Sequence, residues 1–337
     1  MGLKQKMLNY SEALNLMRRN RRAVWSPKTE GDITSDYAAG RIFENFADIL
    51  APKPFRFSRK QRFFCVGSCF ARELEDAIVQ EGGAAETRSL SIEMIQSRPD
   101  FFEPAAGASG RPNAFLNRYN SASMNLLMED VARGTLGNKL LYGDEVRIDY
   151  HYTRFLRSLP LDLALQRRAH ILDMYRAALS NSDIFVFTLG LCEAFKDVED
   201  EAFLNITPDP RNAVGHELEF HMLNVEDNAN LIIRMIESLR TVRPDAEIVL
   251  TVSPVPLDVT FTDMDVVVAN TLAKSTLVTA AHDVSNRVEG CYYFPSYEMA
   301  MLSPRENAWL WDKKHVAPRM VGHIMHAFMC NHLDGAS

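Results

Sequence analysis

Two short runs in this 337-residue chain hold residues whose types and spacing could do covalent chemistry. The first is Gly67-Ser68-Cys69-Phe70-Ala71, where a hydroxyl and a thiol stand side by side between an apolar run and a helical pattern. The second is Asp312-Lys313-Lys314-His315, a D-x-x-H found once in the chain and set just before another helical pattern. A nucleophile together with an acid-oriented imidazole is the parts list for acyl transfer. His315 would take the proton of the nucleophile, and Asp312 would bond the other ring nitrogen and fix the tautomer. At a helix start, the Cys69 thiol is expected to feel the positive end of the helix dipole, which lowers a thiol pKa. Backbone N–H groups at Cys69 and Gly190 are expected to face the developing oxyanion. Ser68 is the rival nucleophile, because only one of two adjacent side chains can face the imidazole.

Each part also has a plainer reading. A cysteine closing a core strand is often inert packing, and nine histidines make one chance D-x-x-H unsurprising. Glu193 could merely cap a helix start. Cys65 and Cys192 read as core residues. His151, His216 and His221 show no metal-ligand spacing, and His216 and His221 read as surface or loop residues, so no metal site is expected. No nucleotide-binding glycine pattern follows a strand.

The elements that must position these residues follow from periodicity. Short apolar or β-branched runs at Phe63–Val66, Ile184–Leu189, Glu247–Val252 and Tyr292–Phe294 read as strands buried on both faces. Between them lie helical patterns: Phe70, Leu74 and Ile78, then Met124–Val131, Leu161–Leu179, Asn228–Leu239, Val266–Ala281 and Val316–Met329. Alternating strands and helices predict a parallel sheet with right-handed crossovers. In such sheets ligands bind beyond the carboxyl ends of the strands. Cys69, Gly190, Glu193 and Ser253 fall there. The run KLLYGDEVRIDYHY predicts an inserted hairpin, with Val146, Ile148 and Tyr150 on one face and Arg147, Asp149 and His151 on the other. Residues 1–61 read as a separate arm packed on a 62–337 catalytic domain. The arm has an amphipathic stretch at Tyr10–Met17, the basic cluster Arg18, Arg19, Arg21 and Arg22, and a short helical pattern from Ile42 to Leu50 stopped by APKP.

Composition bounds the rest. Hydrophobic residues are 47% and charged residues 24%, ample for a large core and unlike a disordered chain. Lys+Arg 37 against Asp+Glu 44 gives a net charge of −7, which argues against nucleic-acid binding through bulk charge. The 5 cysteines are scattered, without C-x2-C, so neither a zinc ribbon nor a redox pair is expected. No signal peptide, myristoylation motif or transmembrane segment is read, so a cytoplasmic chain with reduced thiols is expected.

The run VGSCFARELEDAI resembles the motif from which the GSCFA family takes its name. Further similarities follow in order at Asn117–Ser121, Thr188–Glu193, Thr251–Pro256, Asn270–Ser275, Phe294–Glu298 and Asp312-x-x-His315, spanning about Arg62 to the C-terminus. That family is similar to the SGNH (GDSL-like) hydrolases. The resemblance therefore implies a flavodoxin-like three-layer α/β/α fold, with the N-terminal helical arm and the hairpin as additions. Laying Gly-Asp-Ser over Gly67-Ser68-Cys69 puts Cys69 at the nucleophile position, as in a similar group of candidate acetyltransferases of capsular-polysaccharide biosynthesis. The sequence departs from SGNH enzymes where Cys192 replaces their oxyanion asparagine and where their separate oxyanion glycine motif is missing. Asn120 is the candidate replacement amide.

The expected function is thiol-dependent acyl transfer, as an O-acyltransferase or O-acyl esterase, on a carbohydrate or glycolipid through a Cys69-His315-Asp312 triad. No cofactor is required, and acyl-CoA is a candidate acyl donor. Ser253 and Glu298 could face the same cleft, and Arg118 could steer an anionic group on the substrate. The alternative is a non-catalytic glycan- or protein-binding module that kept the scaffold and lost the chemistry.

Overall fold

The computed structural model describes residues 8–332 apart from 21, 44, 53–54, 59, 104–110, 138 and 153–154, and no side chain beyond 329. Arg21, the end of the APKP stop and the Cys330 side chain therefore lie outside the described residues. In chain order the elements are α1 (Tyr10–Arg19), β1 (Arg62–Gly67), α2 (Cys69–Gln80), β2 (Ala84–Ala85), α3 (Glu86–Ser97), α4 (Ser121–Arg133), β3 (Leu141–Tyr142), β4 (Ile148–Asp149) and α5 (Leu161–Asn181). Then come β5 (Ile184–Leu189), β6 (Glu193–Asp197), β7 (Ala202–Phe203), β8 (Leu218–Met222), α6 (Val225–Val242), β9 (Glu247–Val252) and α7 (Val266–Arg287). The last are β10 (Cys291–Tyr293), α8 (Ser296–Met301), α9 (Arg305–Ala308) and α10 (Pro318–His332).

The central sheet has five parallel strands in the order β10-β9-β5-β1-β2. Its first strand along the chain, β1, lies inside the sheet between β2 and β5, the doubly wound order of flavodoxin-type sheets. Alternate residues of each strand serve opposite faces. Phe63, Cys65, Ile184, Val186 and Val249 pack with Phe70, Leu74 and Ile78 of α2 and Met320, Ile324 and Phe328 of α10. Phe64, Val66, Phe185, Phe187, Ile248 and Leu250 pack with residues of α3 to α7. Because both faces are covered, the strands read as unbroken apolar runs rather than alternating ones.

The expected hairpin forms as β3 and β4, paired antiparallel. Its second face is not solvated, however: Asp149 and His151 are buried, and Asp149 takes Arg168 on both oxygens, at 2.9 and 2.6 Å. The burial has a cause in the next segment. β6, β7 and β8 form a second antiparallel sheet in the order β7-β6-β8, and Ala202 and Leu204 share a cluster with Tyr142 and Tyr150 of the hairpin. The sequence reading had no sheet there. Glu193 opens a strand rather than a helix, and His221 sits in β8.

In the arm, α1 forms with an Asn9 capping box and buries no residue, so its terminal arginines face water. The helix expected over 42–50 is absent among its described residues. Their amides are used elsewhere: Phe43 N–H donates to Leu302 O at 2.8 Å and Ala47 N–H to Ser303 Oγ at 2.9 Å. Phe57, 1% exposed, stacks on Phe328 of α10, a burial worth on the order of 2 kcal/mol. No helix among the described residues is long and apolar enough to cross a membrane.

Candidate functional site

The turn between β1 and α2 is forced to be tight. A Cβ on Gly67 would meet Thr188 Cβ at 2.5 Å and its carbonyl oxygen at 2.6 Å, so only glycine lets β1 end against β5. The chain then turns at Ser68 and enters α2 with Cys69 as its first helical residue. Ser68 is buried, and its hydroxyl donates to Ser253 Oγ at 3.1 Å, tying the end of β1 to the end of β9. Cys69 is half-buried, with the backbone N–H groups of Cys69 and Phe70 facing its sulfur. The helix start does not make it an acidic thiol. Burial and the Glu73 carboxylate push the thiol up, outweighing those two amides and the Lys314 charge. At neutral pH this sulfur holds its proton and needs a base.

An imidazole paired with a carboxylate lies on the turn before α10. His315 Nδ1 is 2.6 Å from Asp312 Oδ2, while Asp312 Oδ1 accepts the backbone N–H of both Lys314 and His315, each at 3.0 Å. Lys313 closes this turn with φ 56°, a left-handed conformation that L residues adopt at a cost. The His315 ring and these two amides hold the Asp312 carboxyl well below the usual carboxylate range. With Nδ1 committed to Asp312, the other ring nitrogen is the one open for proton transfer, and the ring is 46% exposed. Phe70, next to Cys69, and Val316, next to His315, belong to one apolar cluster, and Lys314 acts electrostatically on the Cys69 thiol. Of the second run, Lys314 is the residue shown to lie within electrostatic reach of Cys69 in the first.

A cleft of about 880 Å³ opens at the ends of β5 and β9, and neither Cys69 nor His315 is among its lining residues. Its walls include Tyr119, Tyr150, Leu191, Asn205, Asn212 and Phe261. Asp258, also on the wall, accepts from Lys314 Nζ at 2.6 Å and so links the cleft to the Asp312–His315 turn.

The GSCFA family profile matches residues 62–328, most of the chain. The chain belongs to the GSCFA family. No curated protein and no solved structure matches it.

The remaining family motifs of this GSCFA chain are mostly scaffolding. Asn117–Asn120 is a strap across the strand ends. Arg118 N–H donates to Gly67 O at 2.8 Å and Leu191 N–H to Tyr119 O at 2.7 Å. Asn120 caps α4 by accepting from Ser123 N–H at 2.7 Å and donates to Leu204 O at 3.1 Å, so both polar atoms of its side chain are committed to backbone. Arg118 cannot steer a substrate from where it lies. Its side chain is fully buried, bonded to His151 O and stacked over Tyr152 at 4.5 Å. Glu193 ties down the loop after β9, accepting from Thr260 Oγ1 at 2.6 Å and Phe261 N–H at 2.8 Å. Glu298 turns back to Tyr293 OH at 2.9 Å, and burial raises its pKa. Cys65 and Cys192 are buried, and burial pushes the Cys192 thiol up to about 12. The three histidines considered for metal each face a carboxylate instead: His151 faces Asp130 at 3.6 Å, His216 faces Asp197 at 3.0 Å, and His221 faces Glu219 at 3.2 Å.

Two residues of the GSCFA site went unassigned in the sequence reading. On α7, Asn270 Oδ1 accepts Leu257 N–H at 3.1 Å, and Lys274 Nζ donates to Gly190 O at 2.8 Å. One helical turn thus holds the backbones of the loops after β9 and β5. The readable clue was a lysine on the helix face that also carries Ala269, Ala273 and Leu277, all of them buried.

Proposed function

We propose that this chain is a thiol-dependent acyl transferase or O-acyl esterase acting on a carbohydrate or glycolipid, built on an SGNH hydrolase-like scaffold. The sulfur of Cys69 attacks the acyl carbonyl, and the thiol proton passes to His315. Collapse of the tetrahedral intermediate breaks the bond to the leaving group, which takes that proton back from His315. The resulting thioester is attacked by a sugar hydroxyl or by water, again deprotonated by His315, and Cys69 leaves as the thiol. Asp312 orients the ring and stabilises the imidazolium. The amides at the start of α2, with the N–H of Gly190, are the proposed oxyanion donors.

The observation that supports this reading best is the 2.6 Å Asp312–His315 pair, whose neighbour Lys314 acts on a half-buried thiol that cannot ionise unaided. Ser68 is the weaker nucleophile, because its hydroxyl is spent on Ser253. The aromatic and amide walls of the cleft, Tyr119, Tyr150, Phe261, Asn205 and Asn212, suit a polyhydroxylated acceptor better than an anionic one, and no Lys, Arg or His is among its lining residues. Acyl-CoA is a candidate donor, and a reducing cytoplasm would keep the thiol active. Turnover of p-nitrophenyl acetate tests the assignment. Cys69→Ala and His315→Gln are expected to abolish it, with Ser68→Ala retaining it. A Cys69→Ala protein with parental turnover overturns the reading.

A further inference from the structure

The arm begins with a helix that buries nothing. α1 has 10 residues, none of them buried, and its start is fixed by the Asn9 capping box. Helices this short are marginal in water on their own, and most protein helices are stabilised by packing an apolar face. α1 has such a face: Tyr10, Ala13, Leu14 and Met17 recur at i, i+3, i+4 and i+7. Tyr10 is 81% exposed, and Met17 and Leu16 at the edge of the stripe are exposed as well. Arginines in the last turn complement the helix dipole, but that does not account for the bare apolar stripe. Charge is equally lopsided. Residues 8–28 carry Arg18, Arg19, Arg21, Arg22 and Lys28 against Glu12 alone, in a chain of net charge −7.

We propose that α1 and the basic turn after it form a docking surface for an anionic lipid bilayer, with the helix lying in the plane of the interface. The apolar stripe enters the headgroup boundary, and the exposed Arg18 and Arg19 meet the anionic headgroups. Trp25, 64% exposed, adds a side chain that settles at headgroup level, apolar in its body and polar at one edge. A protein partner fits this surface less well. A helix of 10 residues is about 15 Å long, and one stripe of it falls far short of the ~800 Å² that each side of a stable protein complex buries. A fluid bilayer instead admits side chains singly. The surface is also held to the rest of the chain. Arg22 Nη2 is 2.7 Å from Asp48 Oδ2, and the carbonyls of Val24 and Trp25 accept from Ala38 and Ala39 N–H at 3.2 and 2.9 Å. The same arm is bonded through Phe43 and Ala47 to Leu302 and Ser303. Docking therefore sets the orientation of the whole molecule, because the surface that attracts the arm repels the acidic remainder.

The test is co-sedimentation of the full-length chain with vesicles, comparing phosphatidylcholine alone with phosphatidylcholine containing roughly a third phosphatidylserine. The chain is expected to pellet with the anionic vesicles, less so as salt rises, and to stay in solution with the neutral ones. Arg18→Gln together with Arg19→Gln is expected to weaken binding about thirtyfold. Tyr10→Ser together with Met17→Gln is expected to weaken it about tenfold. Both double variants are expected to keep the parental Tm, since α1 buries no residue. A chain that does not pellet with the anionic vesicles, or parental binding by either folded double variant, overturns the proposal. Binding that falls in the arginine variant alone marks contact by charge only, as with an acidic protein, and overturns it too. Sedimentation reads docking without turnover, so its outcome is independent of the role of Cys69.

Discussion

The imidazole of His315 sits 2.6 Å from an Asp312 oxygen whose partner oxygen is already fixed by two backbone N–H groups of the same turn. The carboxylate is locked before the ring meets it, so the ring inherits both orientation and tautomer from the backbone. Asp312→Asn keeps the size of the side chain and changes what it offers Nδ1. Its acyl-transfer rate is expected to fall by about 10²–10⁴ with little change in KM. Steady-state kinetics with an activated ester check this. A Michaelis-constant effect at unchanged kcat would assign Asp312 to binding instead.

Gly67 is where backbone packing dictates residue type. A methyl there must displace Thr188 in the neighbouring strand, since both Thr188 Cβ and the Thr188 carbonyl oxygen lie within 2.6 Å of its position. Gly67→Ala is expected to cost about 2–4 kcal/mol and to lower Tm, read by thermal unfolding.

Glu193 holds the loop that forms one wall of the cleft through Thr260 and Phe261. Glu193→Ala releases both bonds at a stability cost of about 1–3 kcal/mol. With a carbohydrate acceptor, KM is expected to rise several-fold while the first acylation step keeps its rate. Burst kinetics separate the two steps.

Asp130 gives a pH signature away from the site. Burial, partly offset by Arg133, raises its carboxyl to about 6, and it stands 3.6 Å from His151, whose own basicity burial lowers along with Arg118 and Arg168. The unfolded chain protonates near the ordinary value of about 3.9, so the folded state binds this proton more tightly. That stability is fully present below about pH 4 and lost as pH rises through about 6. Asp130→Asn is therefore expected to gain stability over the parent above pH 6, by up to about 3 kcal/mol, in denaturant titrations compared at pH 5 and pH 8.

The parallel strands were legible because burial on both faces turns them into continuous apolar runs. β5 and β9 match the expected spans residue for residue, and β1 extends its expected span by one residue at each end. The antiparallel insert was not legible. β6 and β8 are five residues each, their burial is mixed, and Glu193 and His221 looked like loop or cap residues until the paired backbone was seen. The helix expected over 42–50 had the right apolar spacing, but tertiary bonds to Leu302 and Ser303 claimed its amides.

The Asp312–His315 hydrogen bond was legible because a D-x-x-H carries its own local geometry in its spacing, and the place of Cys69 at the start of α2 was legible from the Gly67 turn and the helical pattern after it. The supporting residues were not. Arg118 and Asn120 looked like ligands for substrate and serve the backbone instead, because polar side chains close to a strand end satisfy loop groups as readily as they meet a ligand. Lys274 was hidden inside an apolar helix face, and the thiol's raised pKa depended on burial that no spacing reports.

The most direct measurement is intact-mass analysis of the chain quenched in acid during turnover of p-nitrophenyl acetate, followed by peptide mapping. The account predicts one acetyl group, carried on Cys69, that accumulates in His315→Gln more slowly than in the parent and is absent from Cys69→Ala. An acetyl group on Ser68, or equal labelling of Cys69→Ala, would contradict it.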